Sequence, residues 1–327
     1  MKVFISTAPF AEIDQTPLAI LNRAGVAYTI NPTQRRLTSA ELCEFIYDVD
    51  GIIAGTEEIS ASVMQRAPNL KIISRVGIGL DSVDLNAARR KGVMVTYTPD
   101  APSPAVAELT IGLILSSLRG IHNSHRDLCA GKWKRYFGTR LTESSIGIIG
   151  VGRIGGRVVE ALKGMGCHRI LVNDLDDRVK ETNLEGCEWV EKKEIYRNAD
   201  VISLHVPLTR DTRGMIARDE LQMMSRNAVL VNTSRGGIVD ENDLLEALKA
   251  ERIRGAALDT FESEPYSGPL KEMANCLLTS HLGSMTIDCR AQMEIQATAD
   301  MVGFLANGSV RSCVPETEYN IQGDFSA

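Results

Sequence analysis

The sequence predicts an α/β chain with two doubly wound domains, each a parallel sheet with helices on both faces. Three observations lead to this prediction. Short apolar runs alternate with helix-like segments over the first hundred residues, a glycine-rich turn joins a strand to a helix within 146–174, and the alternation resumes afterwards. Such alternation is typical of parallel sheets whose crossover helices cover both faces.

The first domain is predicted from short apolar runs, each of a length suited to a buried strand: Val3-Phe4-Ile5, Tyr28-Thr29-Ile30, Ile52-Ile53, Ile72-Ile73 and Val93-Met94-Val95. Helices are expected between them, over 18–24, 40–47, 61–67 and 84–91. A capping box, Thr38-x-x-Glu41, opens the second helix, and Ser60 opens the third.

Prolines at 99, 102 and 104 predict that 98–104 forms no regular element and marks a crossing between domains. The helix that follows, AVAELTIGLILSSLRGI, is apolar on nearly every side. It is either an ordinary core helix or a helix at both a domain and a subunit interface. A further helix is expected over 293–305, and the tail from Pro315 has weak patterning.

The segment 146–174 reads as strand, glycine turn, helix and strand. Gly150 would permit a tight turn, Gly152 the close approach of a pyrophosphate, and Gly155 close packing of the helix, whose first N–H groups favour phosphate. Asp174 ends the second strand and could accept hydrogen bonds from ribose hydroxyls. The next three residues, Leu175, Asp176 and Asp177, include no arginine. The unit therefore predicts a dinucleotide site that prefers NAD to NADP.

Composition narrows the possible partners. The chain has 327 residues and a formal net charge of −6, which argues against nucleic acid as a main partner, although Lys132, Lys134 and Arg135 form a local basic run. Seven scattered cysteines without a CxxC pair indicate reduced thiols and a cytoplasmic protein. Neither a signal peptide nor a membrane span is expected. No metal site is expected either.

Three later strands end in residues that carry chemistry. His205 follows the run 199–204, Arg235 follows 228–231 and Asp259 follows 255–258. Ligands collect at the carboxyl ends of strands in open parallel sheets. These side chains are therefore expected along one edge of the second sheet.

Seven motifs in one order resemble the NAD-dependent D-2-hydroxyacid dehydrogenase family and, within it, the phosphoglycerate dehydrogenases. They are RVGIGLDSVD from Arg75, VAELTIGL from Val106, GVGRIGGRV from Gly150, HVPLTRDT from His205, VNTSRGGIVDENDLLEAL from Val231, ALDTFESEP from Ala257 and HLGSMT from His281. The resemblance implies a Rossmann cofactor domain, 103–284, inserted in a flavodoxin-like substrate domain, 1–102 and 285–327. It also implies a homodimer that transfers a hydride between NAD and a small D-2-hydroxy acid.

The resemblance further implies a role for individual residues. Arg235 would bind the substrate carboxylate and carbonyl oxygen, and Glu264 would orient His281, the proton donor or acceptor. Asp259 would hold the nicotinamide carboxamide. Other implied cofactor contacts are Gly150, Gly152, Arg153, Ile154, Gly155, Asp174, Val206, Pro207, Thr233, Gly283 and Ser284. Apart from the resemblance, the glycines of the turn Val76-Gly77-Ile78-Gly79 would let its backbone N–H groups approach the substrate carboxylate. Lys132, Lys134 and Arg135 would either complete a phosphate site or form a solvated face.

The reduction of a 2-oxo acid requires the same residue types, whatever the family of the enzyme. Hydride reduction of a 2-oxo acid puts negative charge on the carbonyl oxygen, so a proton donor and a fixed cation must lie within hydrogen-bond reach. His281 can donate a proton near neutral pH, and Arg235 presents a planar fork suited to a carboxylate.

One departure bears on the substrate. Phosphoglycerate dehydrogenases often have an arginine in the loop after the strand at Ile52-Ile53, whereas this chain reads AGTEE, and Glu57 and Glu58 would repel a phosphate. 3-Phosphoglycerate is thus one candidate substrate among the 2-hydroxy acids. Two other readings stay open: a formate or phosphite dehydrogenase of the same fold, and an NAD(H)-sensing binding protein of the co-repressor type.

Overall fold

The computed structural model of the protein describes residues 1–176 and 184–322, so Asp177 lies outside the described residues. The chain divides into two compact units. The first comprises Met1–Pro102 with the chain from Ser284 onwards, and the second comprises Ser103–Gly283.

The elements alternate along the chain as strand and helix. The first stretch contains β1 (Lys2–Ile5), α1 (Thr16–Arg23), β2 (Ala27–Ile30), α2 (Ser39–Phe45), β3 (Gly51–Ala54), α3 (Ala61–Gln65), β4 (Ile72–Arg75), α4 (Leu85–Lys91) and β5 (Met94–Thr96). The second unit contains α5 (Pro102–Arg119), α6 (Ile121–Cys129), β6 (Ile146–Ile149), α7 (Arg153–Gly164), β7 (Ile170–Asn173), β8 (Glu188–Trp189), α8 (Lys192–Asn198), β9 (Val201–Leu204), α9 (Arg218–Met223), β10 (Val229–Asn232), α10 (Glu241–Lys249), β11 (Gly255–Leu258) and β12 (Cys276–Leu278). The chain then returns to the first unit as α11 (Ile287–Asn307) and α12 (Glu316–Gln322).

Both sheets are parallel, as predicted. The first has five strands in the order β2-β1-β3-β4-β5, the flavodoxin-like order. The second has seven strands in the order β12-β11-β10-β9-β6-β7-β8, in which β6, β7 and β8 run to one side and β9 to β12 to the other. The order reverses between β6 and β9, which is where doubly wound sheets bind dinucleotides.

Several predicted elements are confirmed with small shifts, and a few predictions were wrong. The capping box is present, since Thr38 Oγ1 accepts from the Glu41 amide at 3.3 Å and Glu41 accepts from the Thr38 amide at 2.9 Å. Helix α5 begins at Pro102, inside the segment predicted to be irregular, because the first turn of a helix leaves its N–H groups unpaired and so tolerates proline. Ser60 caps no amide, and its hydroxyl lies 2.9 Å from that of Ser62. The sequence did not lead us to predict α6, α12, β8 or β12.

Each unit has its own apolar core. In the first, residues of β1, β3 and β4 such as Phe4, Ile52 and Ile73 are almost fully buried. In the second, α7 and α5 cover β6 and β7 on one face, and α8 to α10 cover the other. Among the described residues no single helix is long and apolar enough to cross a membrane; α5 and α6, bent by 66°, reach that length and composition only as a pair.

Candidate active site

The glycine turn is packed so closely that side chains are excluded from it. Gly150 has φ +89°, and a Cβ there would lie 2.4 Å from the carbonyl oxygen of His205. A Cβ on Gly155 would lie 2.0 Å from the carbonyl oxygen of Gly150. The two glycines therefore bring the start of α7 against the ends of β6 and β9, which is the tight turn and close helix packing that the sequence predicts.

The start of α7 and Asp174 form a surface that fits a dinucleotide. Gly152 is the residue before the helix, and a Cβ on it would meet nothing within 4 Å, so the approach to the first-turn amides of Arg153 and Ile154 is open. The Asp174 carboxylate accepts from the Val151 amide at 2.6 Å and from the Asp176 amide at 2.9 Å. The carboxylate is thus fixed at the end of β7, next to the turn.

The other predicted cofactor residues lie at strand ends of the same sheet or just beyond it. Val206 and Pro207 follow β9, with Pro207 exposed. Thr233 follows β10, and its hydroxyl is 2.8 Å from that of Thr110, inside the unit. Gly283 is buried and Ser284 is partly exposed. Their contacts with a cofactor stay predictions.

His281 and Glu264 form the hydrogen-bonded pair that the sequence predicts. His281 Nδ1 lies 2.9 Å from Glu264 Oε2, and the side chains are 36% and 25% exposed. Glu264 Oε1 accepts from the Phe261 amide at 3.0 Å. Because both carboxylate oxygens are engaged, the carboxylate is held in place and can fix the imidazole with Nε2 as the nitrogen directed to other partners.

Asp259 holds the backbone on both sides of His281. Its side chain is fully buried, and its carboxylate accepts from the Thr279 hydroxyl at 2.6 Å, the Leu282 amide at 2.7 Å and the Gly283 amide at 2.9 Å. Its carbonyl oxygen accepts from the His281 amide at 2.9 Å. His281 has φ +54°, a left-handed conformation that non-glycine residues seldom adopt without such support. The predicted contact with the nicotinamide carboxamide remains a prediction beside this structural role.

The loop after β10 carries Arg235. Asn232 shapes the loop, since its side chain accepts from the Ser234 amide at 3.0 Å and donates to the Arg235 carbonyl at 2.8 Å. The guanidinium donates to the Ser234 carbonyl at 2.6 Å. Gly236 then passes directly over the Phe261 backbone, because a Cβ on it would lie 1.9 Å from the Phe261 carbonyl carbon. This contact joins the arginine loop to the loop that carries Glu264.

The loop 261–264 is anchored at further points. The Glu262 amide donates to Glu241 Oε1 at 2.8 Å, and Arg213 Nη1 lies 3.3 Å from Glu262 Oε1. Burial raises the pKa of Glu241, with the nearby carboxylates adding to the effect. The loop that carries Glu264 is thus held both to Glu241 of α10 and to Arg213.

His205 lies under the glycine turn. Its Nε2 is 2.9 Å from the Ser203 hydroxyl, and burial lowers its pKa to about 4. It is therefore neutral near pH 7. This agrees with a place beside the cofactor turn rather than at the transferred proton.

The predicted substrate turn in the first unit is partly engaged in its own fold. The Val76 amide donates to the Ala54 carbonyl at 2.8 Å and the Gly77 amide to Thr98 Oγ1 at 2.8 Å. Among the described hydrogen bonds, the Ile78 amide has no such acceptor. If the turn binds a carboxylate through its amides, Ile78 is the residue of the three best placed to donate.

The acids after β3 do not behave as the sequence suggested. Glu57 is buried, and its carboxylate accepts from the Gly55 amide at 2.8 Å and from the Ser6 hydroxyl. Glu58 is exposed and accepts from the Ser39 hydroxyl at 3.0 Å. The prediction that both acids would repel a phosphate is therefore wrong for Glu57, which points into the unit.

The basic run lies on an extended segment after α6. Arg135 is exposed, whereas Lys132 and Lys134 line a cavity of about 340 Å³ beside α6. Tyr136 anchors the segment, because its hydroxyl donates to Asp127 and Lys134 Nζ lies 4.8 Å from its ring centroid. The substrate contact predicted for Arg135 stays a prediction.

These features together define a class of protein. The second unit combines a glycine turn that fits a dinucleotide, a loop after β10 that carries Arg235, and a histidine, His281, whose ring is oriented by the Glu264 carboxylate. In the described parts of the chain no group of three His, Cys, Asp or Glu side chains could hold a metal ion. The arrangement is that of a nicotinamide-dependent dehydrogenase acting on a carbonyl or hydroxyl group.

Comparison with known proteins gives the family. Residues 111–283 match the NAD binding domain of D-isomer specific 2-hydroxyacid dehydrogenases. The chain is 42% identical over 256 residues to a D-3-phosphoglycerate dehydrogenase of Methanocaldococcus jannaschii, covering 76% of this chain and 48% of that protein. It is 38% identical over 275 residues to a glyoxylate reductase of Thermofilum pendens, covering 81% of each. The crystal structure of the TT0316 protein from Thermus thermophilus matches with a TM-score of 0.86 and 31% identity, over 96% of this chain and 100% of that one.

The chain belongs to the D-isomer specific 2-hydroxyacid dehydrogenase family. It is an oxidoreductase that transfers a hydride between NAD and a 2-hydroxy acid, as the motifs predict. The chain spans about half the length of the phosphoglycerate dehydrogenase that it matches.

Proposed function

We propose that the protein reduces a small 2-oxo acid to the D-2-hydroxy acid, with His281 as proton donor, Glu264 as its orienting base and Arg235 as the cation that binds the substrate. The observation that carries this proposal is the 2.9 Å contact between His281 Nδ1 and Glu264 Oε2. It occupies one ring nitrogen and leaves Nε2 for the substrate oxygen.

The residues act on the charge that develops in the reaction. NADH, when bound, supplies the hydride to the carbonyl carbon. Nε2 of His281 gives its proton to the carbonyl oxygen, and Glu264 holds the ring in place through Nδ1. Arg235 offers two parallel N–H donors to a carboxylate, so it can fix the substrate's orientation. In the oxidative direction the same nitrogen accepts the proton from the hydroxyl.

An unphosphorylated acid of the size of glyoxylate or hydroxypyruvate is the substrate that we propose, with phosphohydroxypyruvate second. The T. pendens relative is a glyoxylate reductase, and the M. jannaschii relative is a phosphoglycerate dehydrogenase. Here the loop after β3 presents no arginine, and its exposed acid is Glu58. Glu58 would repel a doubly charged phosphate, whereas a neutral hydroxymethyl group would not be repelled.

The test is NADH consumption against a panel of 2-oxo acids that includes glyoxylate, hydroxypyruvate, phosphohydroxypyruvate, oxaloacetate and 2-oxoglutarate. We expect His281→Ala to lower kcat by roughly a hundredfold or more, because general acid catalysis contributes about that much. His168→Ala, an exposed histidine of the same unit, is the control and should keep full activity. Full turnover by His281→Ala would reject the assignment, and tight NADH binding with no turnover of any acid would point to a sensor.

We further propose that the protein is a homodimer through the segment that follows α6. Trp133 is 81% exposed and Phe137 is fully exposed, and Leu128 on α6 is 59% exposed. Apolar side chains grouped in this way usually mark a surface that another chain covers. Sedimentation of the purified protein should give a dimer, and Trp133→Ser with Phe137→Ser should give monomer; a dimer that survives both changes would place the interface elsewhere.

The cytoplasm is the compartment that we propose. All seven cysteines are free thiols. Free thiols of this number persist in a reducing compartment. A fusion to a fluorescent protein, imaged in cells, tests the proposal, and export of the fusion would contradict it.

A further inference from the structure

Helix α12 docks on α4 through specific contacts. Glu316 accepts from both terminal nitrogens of Arg89, at 2.9 and 2.6 Å, and the same guanidinium lies 3.8 Å from the centre of the Tyr319 ring. Asn86 donates to the Tyr319 carbonyl at 3.3 Å. The helix is therefore tied to the rest of the first unit by polar contacts as well as by packing.

The side-chain amide of Gln322 hydrogen-bonds to one loop through both its nitrogen and its oxygen. Nε2 donates to the carbonyl of Leu80 at 3.2 Å and to that of Val83 at 2.7 Å, while Oε1 accepts from the Leu85 amide at 2.6 Å. These partners span the loop between β4 and α4. The side chain thus satisfies the Val83 carbonyl and the Leu85 amide, and it adds a second donor to the Leu80 carbonyl, which also accepts from the Val83 amide at 3.1 Å.

The loop 80–84 in turn holds the segment that follows β3. The Ile59 amide donates to the Ser82 carbonyl at 2.7 Å, and the Asp84 amide donates to the Ile59 carbonyl at 3.0 Å. Ile59 and Val83 form an isolated parallel bridge. Leu80 also follows directly on the turn 76–79. Through the loop 80–84, the contacts of Gln322 therefore connect to the segments that follow β3 and β4.

We propose that Gln322 is a positioning residue for substrate binding, acting through the loop 80–84 on the turn 76–78. Ligands of parallel sheets bind where these segments lie, at the carboxyl ends of the strands. The inference rests on the proposed function, because it takes the turn 76–78 as part of the substrate site. Loss of the Gln322 hydrogen bonds would let this loop open more often, and a binding site that is open part of the time has an apparent affinity lowered by that fraction.

Steady-state kinetics of Gln322→Ala test the link to the substrate. We expect the KM for the preferred 2-oxo acid to rise roughly three- to tenfold, as the loss of two or three net hydrogen bonds allows, with kcat within about twofold. The Kd for NADH should not change, since the predicted dinucleotide residues up to Gly283 belong to the other unit. Asn320→Ala removes an exposed amide from the same helix and is the matched control, expected to behave as wild type.

Hydrogen exchange of the unliganded protein, read by mass spectrometry, tests the positioning without any turnover. Gln322→Ala should speed exchange in peptides covering 76–85, and Asn320→Ala should not. Gln322→Glu keeps the acceptor for Leu85 and loses both donors, so it should change exchange in the same direction and serves if the alanine variant is unstable. Unchanged exchange would overturn the positioning, and faster exchange with an unchanged KM would overturn its role in substrate binding. If wild type reduces no oxo acid, the proposed function fails while the exchange result still decides the contact.

Discussion

Replacing Gly236 with alanine tests whether contact between two loops positions Arg235. A Cβ at 236 would lie 1.9 Å from the Phe261 carbonyl carbon, 2.0 Å from its oxygen and 2.4 Å from the Glu262 nitrogen, all of them backbone atoms. Real Cβ atoms keep at least 3.0 Å, so one loop must move by about 1 Å. Misplacement of this size in a catalytic group costs roughly a hundredfold in rate.

The assay is kcat/KM with NADH and the preferred oxo acid, together with the Kd for NADH and the Tm. We expect Gly236→Ala to lose about two orders of magnitude in kcat/KM, while NADH binding at the α7 turn changes little. Gly164→Ala, at the end of α7 where a Cβ would meet nothing within 4 Å, is the control and should match wild type. A Gly236→Ala enzyme with normal kcat/KM would refute the idea that this contact sets the position of Arg235.

Three further outcomes follow from the contacts of the site. Glu264→Gln should lower kcat roughly ten- to a hundredfold, because a charge-assisted hydrogen bond to the imidazole is lost. Glu262→Gln is the control: the Glu262 carboxylate meets an exposed arginine, so kcat should change less than about twofold. Equal effects of the two substitutions would contradict the pairing of Glu264 with His281. Asp259→Asn should lower both kcat and Tm, since an amide puts a donor against backbone N–H groups beside His281; a wild-type kcat would show that the histidine holds its conformation without the carboxylate. The free energy of unfolding should fall as pH drops from 6.5 towards 4, because the unfolded chain protonates His205 first while the folded-state pKa is about 4. The loss is at most about 2 kcal/mol at pH 5, and denaturant titrations of His205→Gln should show a shallower pH dependence between pH 5 and 8.

Much of the second unit could be predicted because its features are local in the sequence. Spacing alone indicated the turn at Gly150 and Gly155, and the strand ends that carry Arg235 and Asp259. The contacts of the Asp259 carboxylate could not be predicted, because they depend on how the chain returns to the sheet twenty or more residues later. An aspartate can either accept hydrogen bonds from nearby backbone amides or bind a cofactor group, so the sequence alone does not separate these two roles of Asp259.

The missed elements were too short or too polar to give a recognisable pattern. Strand β12 has three residues and β8 has two, too short for a recognisable period. Helix α12 carries few apolar residues, since much of what holds it is polar: the Arg89 pair and the Gln322 amide. The orientation of Glu57 was predicted wrongly because its partner Ser6, which follows β1, is far away in the sequence. Tandem glycines at 236 and 237 were the one local sign of the close contact between the loops.

The hydrogen bond from the Val151 amide to Asp174 means that a change of coenzyme would alter the support of the loop as well as its charge. Removing the carboxylate would admit a 2′-phosphate, yet it would also leave two amides, those of Val151 and Asp176, without their acceptor. A lineage or an engineer moving this enzyme towards NADP must therefore replace the loop's internal support in the same step. Exchange of Asp174 alone is expected to yield an enzyme that is poor with both coenzymes, and successful switches should carry a compensating serine or asparagine close by.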